Sequence, residues 1–203
     1  NLEISGLGNT SINASARIKG LPDMDRAYFD VKIDNIQSSR SDVVRLLPAG
    51  TLPSNISLPE NFKLNGFFKG GITDFDTDLN LNSSYGSARA IATYNAKVKG
   101  KETYKANVRI FNFHAGRLIK QNKLGRITLA ADVNGTGTDP KTMNARVAGK
   151  LVKAEYNNYT YRNLNLNALA NGGSINAKAS MDDPNLNFDL AAAVKTSGKY
   201  PSV

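Results

Sequence analysis

The sequence contains no cysteine, no tryptophan and one histidine, His114. Without cysteine a disulfide scaffold, a zinc ribbon, an iron–sulfur site and a thiol nucleophile are all excluded. One histidine excludes a multi-histidine metal site within the chain. No run of about 18 apolar residues occurs, so no segment spans a bilayer as a helix. Glutamate is scarce, confined to Glu3, Glu60, Glu102 and Glu155, whereas asparagine occurs 24 times. Glutamate loses little freedom in a helix, while asparagine competes with the helical backbone and prefers turns. That imbalance points to strands and turns. The 203 residues suffice for one large domain or two small ones. The opening Asn1-Leu2-Glu3-Ile4-Ser5-Gly6 lacks the basic residue and apolar run of a signal peptide and reads as mid-protein sequence. The expectation is a fragment of a longer protein.

What the chain has in abundance is strict alternation. Ile12, Ala14, Ala16 and Ile18 alternate with polar residues, and after the turn Gly20-Leu21-Pro22-Asp23 so do Phe29, Val31 and Ile33. The pattern returns in Phe62-to-Phe68, in Phe75, Thr77, Leu79 and Leu81, and in Ala88-to-Val98. It continues in Tyr104-to-Ile110, in Ile127, Leu129, Ala131 and Val133, in Ala145, Val147, Gly149 and Leu151, and in three runs reaching Val194. A period of two marks strands with one apolar and one wet face. More than ten such runs, joined by Gly, Pro, Asp and Asn turns, predict an all-β fold of mostly antiparallel, hairpin-joined strands. A slip of one residue would turn every apolar side chain outward, so register is strongly specified.

The predicted inward set includes many alanines. Two packed sheets usually fill a layer of roughly 10 Å with larger side chains. An alanine-lined face implies either a closely approaching neighbour in a tight core or an apolar trough for a guest. Ile12, Ala14, Ala16, Ile18, Phe29, Val31, Ile33, Phe75, Leu79, Leu81, Leu129, Ala131, Val133 and Val147 are the candidate lining residues.

One segment departs from the alternation. Ser39-Arg40-Ser41-Asp42-Val43-Val44-Arg45-Leu46-Leu47-Pro48 has helical spacing between a Ser/Asp start and a Pro stop, predicting a short helix near 41–47. Behind it, the Pro- and Gly-bearing stretch to Asn61 reads as an irregular loop joining two repeat-like sub-units, about 1–60 and 61–203, of one elongated fragment. An ungapped internal match lays Asn9-to-Gly20 on Leu124-to-Gly135, with Ile12, Ala14, Ala16 and Ile18 on Ile127, Leu129, Ala131 and Val133. Repeated strand–turn–strand units imply a sheet built by repetition.

The charge is uneven. Arg89 to Arg126 holds ten Lys or Arg against the single acid Glu102, while the rest of the chain balances 16 against 16. Such a stretch can face nucleic acid, anionic headgroups or solvent. Lys97, Lys99, Lys101, Lys105 and Arg109 are expected on the wet face. Lysine at 97, 99 and 101 has the parity opposite to Ala96 and Val98, which separates basic from apolar groups and argues against a nucleic-acid stacking platform. Motifs with chemistry are few. Asp74-Phe75-Asp76-Thr77-Asp78 starts like a calcium loop, but Leu79 stands where Gly is needed and Tyr85 where a bidentate Glu belongs. Asp182-Asp183 before Pro184 reads as a turn, not a glycosidase acid pair. His114 has no nucleophile or orienting acid near it in sequence, and Gly135-Thr136-Gly137 opens no helix. No catalytic residue, metal or cofactor is expected, and the reading is non-enzymatic. Tyr156, Tyr159 and Tyr161 could form a sugar-stacking patch, which leaves a periplasmic or surface β-sandwich glycan-binding module as the alternative.

Several stretches resemble the TamB-like proteins of the AsmA-like translocation and assembly module family. They are Gly20-Leu21-Pro22-Asp23-Met24-Asp25, Leu46-Leu47-Pro48, Leu64-Asn65-Gly66-Phe67-Phe68-Lys69-Gly70, Leu124-Gly125-Arg126-Ile127-Thr128-Leu129, Tyr159-Thr160-Tyr161-Arg162-Asn163-Leu164 and Asp183-Pro184-Asn185-Leu186-Asn187-Phe188. The resemblance covers essentially the whole chain as a loose repeating pattern without a catalytic signature. It implies a curved sheet with an apolar inner groove, open or β-taco-like, in the periplasm of a two-membraned bacterium. It implies a parent protein anchored in the inner membrane and reaching the outer one, phospholipid acyl chains as cargo, and an Omp85-type barrel as partner of the parent.

Overall fold

The structure is a computed structural model that describes residues 2–47 and 50–196, with residues 2–7 described by their backbone alone; Pro48, the predicted helix stop, lies outside the described residues. Twelve strands follow one another as β1 (Leu2–Leu7), β2 (Thr10–Lys19), β3 (Tyr28–Ser39), β4 (Asn61–Gly70), β5 (Asp74–Ser83), β6 (Gly86–Asn95), β7 (Thr103–His114), β8 (Leu124–Thr136), β9 (Asn144–Tyr156), β10 (Tyr159–Asn171), β11 (Ser174–Asp183) and β12 (Leu186–Lys195). All belong to one sheet whose spatial order is the sequence order, and every neighbouring pair is antiparallel. Two short helices interrupt the meander: α1 (Arg40–Leu46) after β3, and α2 (Ala115–Leu118) after β7. The second is one turn long, too short for its periodicity to show in sequence. β3 pairs directly with β4, so the Pro-bearing connection is an excursion between adjacent strands of a continuous sheet.

Tight turns keep this meander in register. Asn157 and Asn158, both with positive φ, connect the paired Tyr156 and Tyr159 in a two-residue hairpin. Such turns match the twist of the strands they join and favour Asn or Gly. Directly paired residues share a face, so the apolar side chains line up from strand to strand. Ala16 faces Val31, Val31 faces Phe68, Phe68 faces Thr77, and Thr77 faces Ala92.

Where strands carry an extra residue, the face is kept by a bulge. Ile33 and Ile36 lie three apart, yet they oppose Gly66 and Leu64, which lie two apart. Ile110 and Phe113 likewise oppose Leu129 and Ile127; Asn112 between them has φ of 47°, and Phe111 is thrown onto the wet side, 68% exposed. The extra residue restores parity instead of reversing it.

No second layer exists among the described residues. The accessible surface is 13223 Å², against about 9,300 Å² for a compact chain of this mass. No described side chain is less than 2% exposed. Cohesion therefore comes from the hydrogen-bonded ladder and from cross-strand pairs. An aromatic row crosses four strands: Phe29 meets Phe68 edge-on at 6.3 Å, Phe68 stacks on Phe75 at 5.4 Å, and Phe75 leans on Tyr94 at 5.7 Å. Each contact contributes roughly 0.5–1.5 kcal/mol beyond its buried area.

Helix α1 is fastened at its start. The Ser39 hydroxyl accepts the Asp42 N–H at 3.2 Å, and the buried Asp42 carboxylate accepts the Asn9 N–H at 2.9 Å and the Thr10 hydroxyl at 3.2 Å. The helix start is thereby tied to the β1–β2 turn. The Ser39 hydroxyl, with the Asn9 and Thr10 donors adding, holds the Asp42 carboxyl below its ordinary value against the opposing effect of burial. A lowered native pKa gives stability that is present at neutral pH and lost as pH falls through and below the ordinary carboxylate range. Asp42→Asn should lower the thermal midpoint at pH 7 and flatten its fall on acidification, as followed by circular dichroism from pH 7 to pH 3.

Gly66, mid-strand in β4 with φ of 131°, would place a Cβ 1.9 Å from the Asp78 carbonyl oxygen. Gly66→Val should cost about 3 kcal/mol or more through strain and backbone clash. Gly149→Ala, on the same apolar face with only Leu166 at 3.8 Å, should stay within about 0.5 kcal/mol. Urea unfolding compares the two.

Candidate functional site

The pairing places all fourteen candidate lining residues on one side of the sheet. Ile12, Ala14, Ala16 and Ile18 stand beside Ile36, Ile33, Val31 and Phe29; Phe75, Leu79 and Leu81 lie two strands on; Leu129, Ala131 and Val133 stand beside Leu151, Gly149 and Val147. None is buried. Twelve are half-exposed, Ala16 is exposed, and Ile18 is 48% accessible. A closed two-layer core would bury most of them, so the apolar face is an open trough. At a strand spacing of ~4.8 Å and ~3.4 Å per residue, it measures roughly 50 Å across the strands and 30 Å along them. That is on the order of 1,500 Å², well above the 300–600 Å² of an ordinary largest surface patch.

The trough also holds residues that simple alternation passes over. Ile36, Phe113 and Ala154 join the apolar row because bulges in β3, β7 and β9 reset parity, and Tyr161 joins it by pairing with Ala154. Asn112, with positive φ, marks the β7 bulge, and an asparagine inside an alternating run is the signal that could have revealed it. Alternation extended by one more step would have reached Met181, which is buried opposite Leu164.

The basic residues do not share one strand face. Strand β6 stops at Asn95, whose side chain accepts the Lys97 N–H at 3.2 Å, and the loop folds back where Glu102 accepts the Gly100 N–H at 2.8 Å. Lys97, Lys99 and Lys101 therefore sit in the β6–β7 loop at one end of the strands, all exposed, while Lys105 and Arg109 lie on the wet face of β7. Carboxylates from other strands offset part of the local excess: Lys97 pairs with Asp74 at 2.7 Å, Arg89 with Asp78 at 2.8 Å and Arg109 with Asp132 at 2.9 Å. Two acids of the calcium-like run are thus committed to ion pairs. Of the tyrosines, Tyr159 and Tyr161 meet edge to face at 4.8 Å, and the Tyr159 hydroxyl donates to Asp183, whereas Tyr156 is exposed.

At the opposite strand ends the Pro-bearing connection forms a strap across β4 to β7. The Ser57 N–H donates to the Leu118 carbonyl at 2.8 Å, joining the strap to α2. Buried Tyr85, from the β5–β6 turn, seats beneath it: its hydroxyl donates to the Leu58 carbonyl at 3.1 Å and accepts from Arg40 Nη2 at 2.9 Å, and its ring meets Phe113 edge-on at 6.4 Å. Arg40 Nε donates to the same Leu58 carbonyl at 2.7 Å. Between strap and α2 lies a cavity of about 590 Å³ lined by Arg40, Glu60, Tyr85, His114, Arg117 and Lys120 among others. Its cations outnumber its one carboxylate, and none of them forms an ion pair among the described residues. His114 Nδ1 accepts the Arg117 N–H at 3.2 Å, which leaves Nε2 as the donor of the neutral ring. Burial first, then the Arg117 and Arg126 charges, hold its pKa below the ordinary 6.5.

No helix among the described residues is long and apolar enough to cross a membrane, and no cluster of three or more His, Asp or Glu side chains suited to a metal ion occurs among them. Comparison with known proteins finds no matching family model, no matching curated relative and no matching solved structure.

An open trough and a closed core respond differently to truncation. Leu190→Ser, at a position 59% exposed, should change stability by less than about 1 kcal/mol. Phe113→Ala, at 6% exposure beneath the strap, should cost about 3 kcal/mol. The native protein should also brighten an environment-sensitive apolar dye without losing its strand circular dichroism.

Proposed function

We propose that this chain is a non-enzymatic groove segment of a TamB-like bridge between the inner and outer membranes of a two-membraned bacterium, carrying phospholipid acyl chains along its apolar face. The observation that carries the reading is the uncovered apolar face running unbroken across the sheet, with none of its fourteen candidate residues buried. Taking an acyl chain into water costs about 0.8 kcal/mol per methylene, so two chains of ordinary length cost on the order of 20 kcal/mol. Passage between membranes at a useful rate needs a continuous apolar path. A meander sheet supplies one at right angles to its strands, because each hairpin returns the same face to the next strand. Alanines such as Ala14, Ala16, Ala90 and Ala131 keep that face shallow and leave room for chains. In this reading the sheet lies in the periplasm, and the parent protein provides the membrane anchor and the contact to an Omp85-type barrel that supports outer-membrane protein assembly.

Photo-crosslinkers placed in cells at Ala16, Leu79 and Leu129 should capture phospholipid, and one at Lys99 should not. Ala16→Arg should reduce lipid transfer while leaving the melting midpoint within a few degrees, because an exposed trough position lets the long side chain bend toward water. Absence of lipid at all three trough positions, or equal capture at Lys99, would overturn the assignment.

A further inference from the structure

An amphiphile lying in this trough finds polar partners of the protein at the ends of the strands. The face is apolar along the strands, so charged groups of the protein that could meet a headgroup stand at the rims, where the strands end. At one rim stand the exposed Lys97, Lys99 and Lys101, with Lys97 held by Asp74. At the other rim is the cavity between strap and α2, which differs from the concavity near Gly135 at the first rim in gathering Arg40, Arg117 and Lys120 along one lining. It is bounded by the strap residue Ser57, by Tyr85 from the β5–β6 turn, and by the segment from His114 to Leu124.

We infer that this cavity is a headgroup station that binds the phosphate of a phospholipid whose acyl chains lie on the adjoining apolar face; the inference rests on the groove reading. Three features support it. First, Arg40, Arg117 and Lys120 meet a single carboxylate, Glu60, and no ion pair neutralises them among the described residues. Planar guanidinium and ammonium groups around one concavity suit the tetrahedral, singly charged oxyanion of a phosphodiester. Second, the cavity adjoins the trough through the Tyr85–Phe113 contact, Phe113 being opposite Ile127 in the apolar row. Third, His114 offers Nε2 as a further donor and stands in a positive field from Arg117 and Arg126, with Glu155 opposing. A bound anion would relieve that field.

His114 is the one histidine in the sequence, so its ring proton is an unambiguous reporter by nuclear magnetic resonance. Dihexanoyl phosphatidylglycerol, kept monomeric, should shift this resonance and raise the His114 pKa. It should do so at a concentration about tenfold or more below that needed with glycerol phosphate, since the short chains add apolar burial. Arg117→Glu should weaken the lipid response about tenfold or more with unchanged circular dichroism and melting, and Arg117→Lys should retain most of it. A nonionic alkyl maltoside should perturb the trough and leave His114 unmoved. If the lipid is captured at Leu79 or Leu129 while His114 does not respond, the headgroup station is wrong and the groove reading stands. If lipid and glycerol phosphate move His114 at equal concentration and nothing contacts the trough, the groove reading falls and the lipid assignment of the cavity falls with it.

Discussion

Strand register is the constraint on which everything else in this molecule depends. Each strand pairs only with its sequence neighbours, so no long-range crossover corrects a slip. A displacement by one residue at any hairpin would reverse the apolar and polar faces of every strand beyond it. Short turns such as Asn157-Asn158 hold the pairing, and the bulges between Ile33 and Ile36 and at Asn112 preserve it where one strand carries an extra residue. The row from Ile12 to Val194 is apolar because these local decisions agree.

A single layer with an uncovered apolar face is an unusual solution, since most domains bury that face against a second layer. Here the wet side and the strand ends provide what a core would. Ion pairs tie β5 to β6 and β7 to β8, the aromatic row ties β3 through β6, and the strap ties α2 to Tyr85 and Arg40. The exposed pairs contribute little singly. Their effect is to hold neighbouring strands in step. The cost is a face in contact with water, which is relieved whenever an apolar guest covers it.

The basic stretch shows how sequence distance misleads. Ten cations within forty residues look like one patch, but the antiparallel turns send them to different places. Arg89 and Arg109 meet acids on the wet face, Lys97 to Lys101 go to one rim, and Arg117 and Lys120 go to the other. What remains unpaired is concentrated at strand ends, where an amphiphile lying across the sheet would present its charge.

Alternation in the amino-acid sequence determined by itself that the chain is all-β, antiparallel and two-faced, and which residues from Ile12 to Val147 share the apolar side. Period-two patterning is a local property written into every strand, and α1 was equally legible from its Ser39 start. Three things were decided only by tertiary structure. Whether the apolar face is covered depends on what packs against it, which alternation cannot express, since a sandwich and an open trough use the same pattern. The places of Ile36, Phe113 and Ala154 depend on bulges, whose extra residue has meaning only against a partner strand. The strap cavity unites Arg40, Ser57, Tyr85, His114 and Arg117 from three separate connections. Side chains so far apart in sequence meet only because seven residues of helix and one strap bridge the ends of strands that pairing has already set side by side.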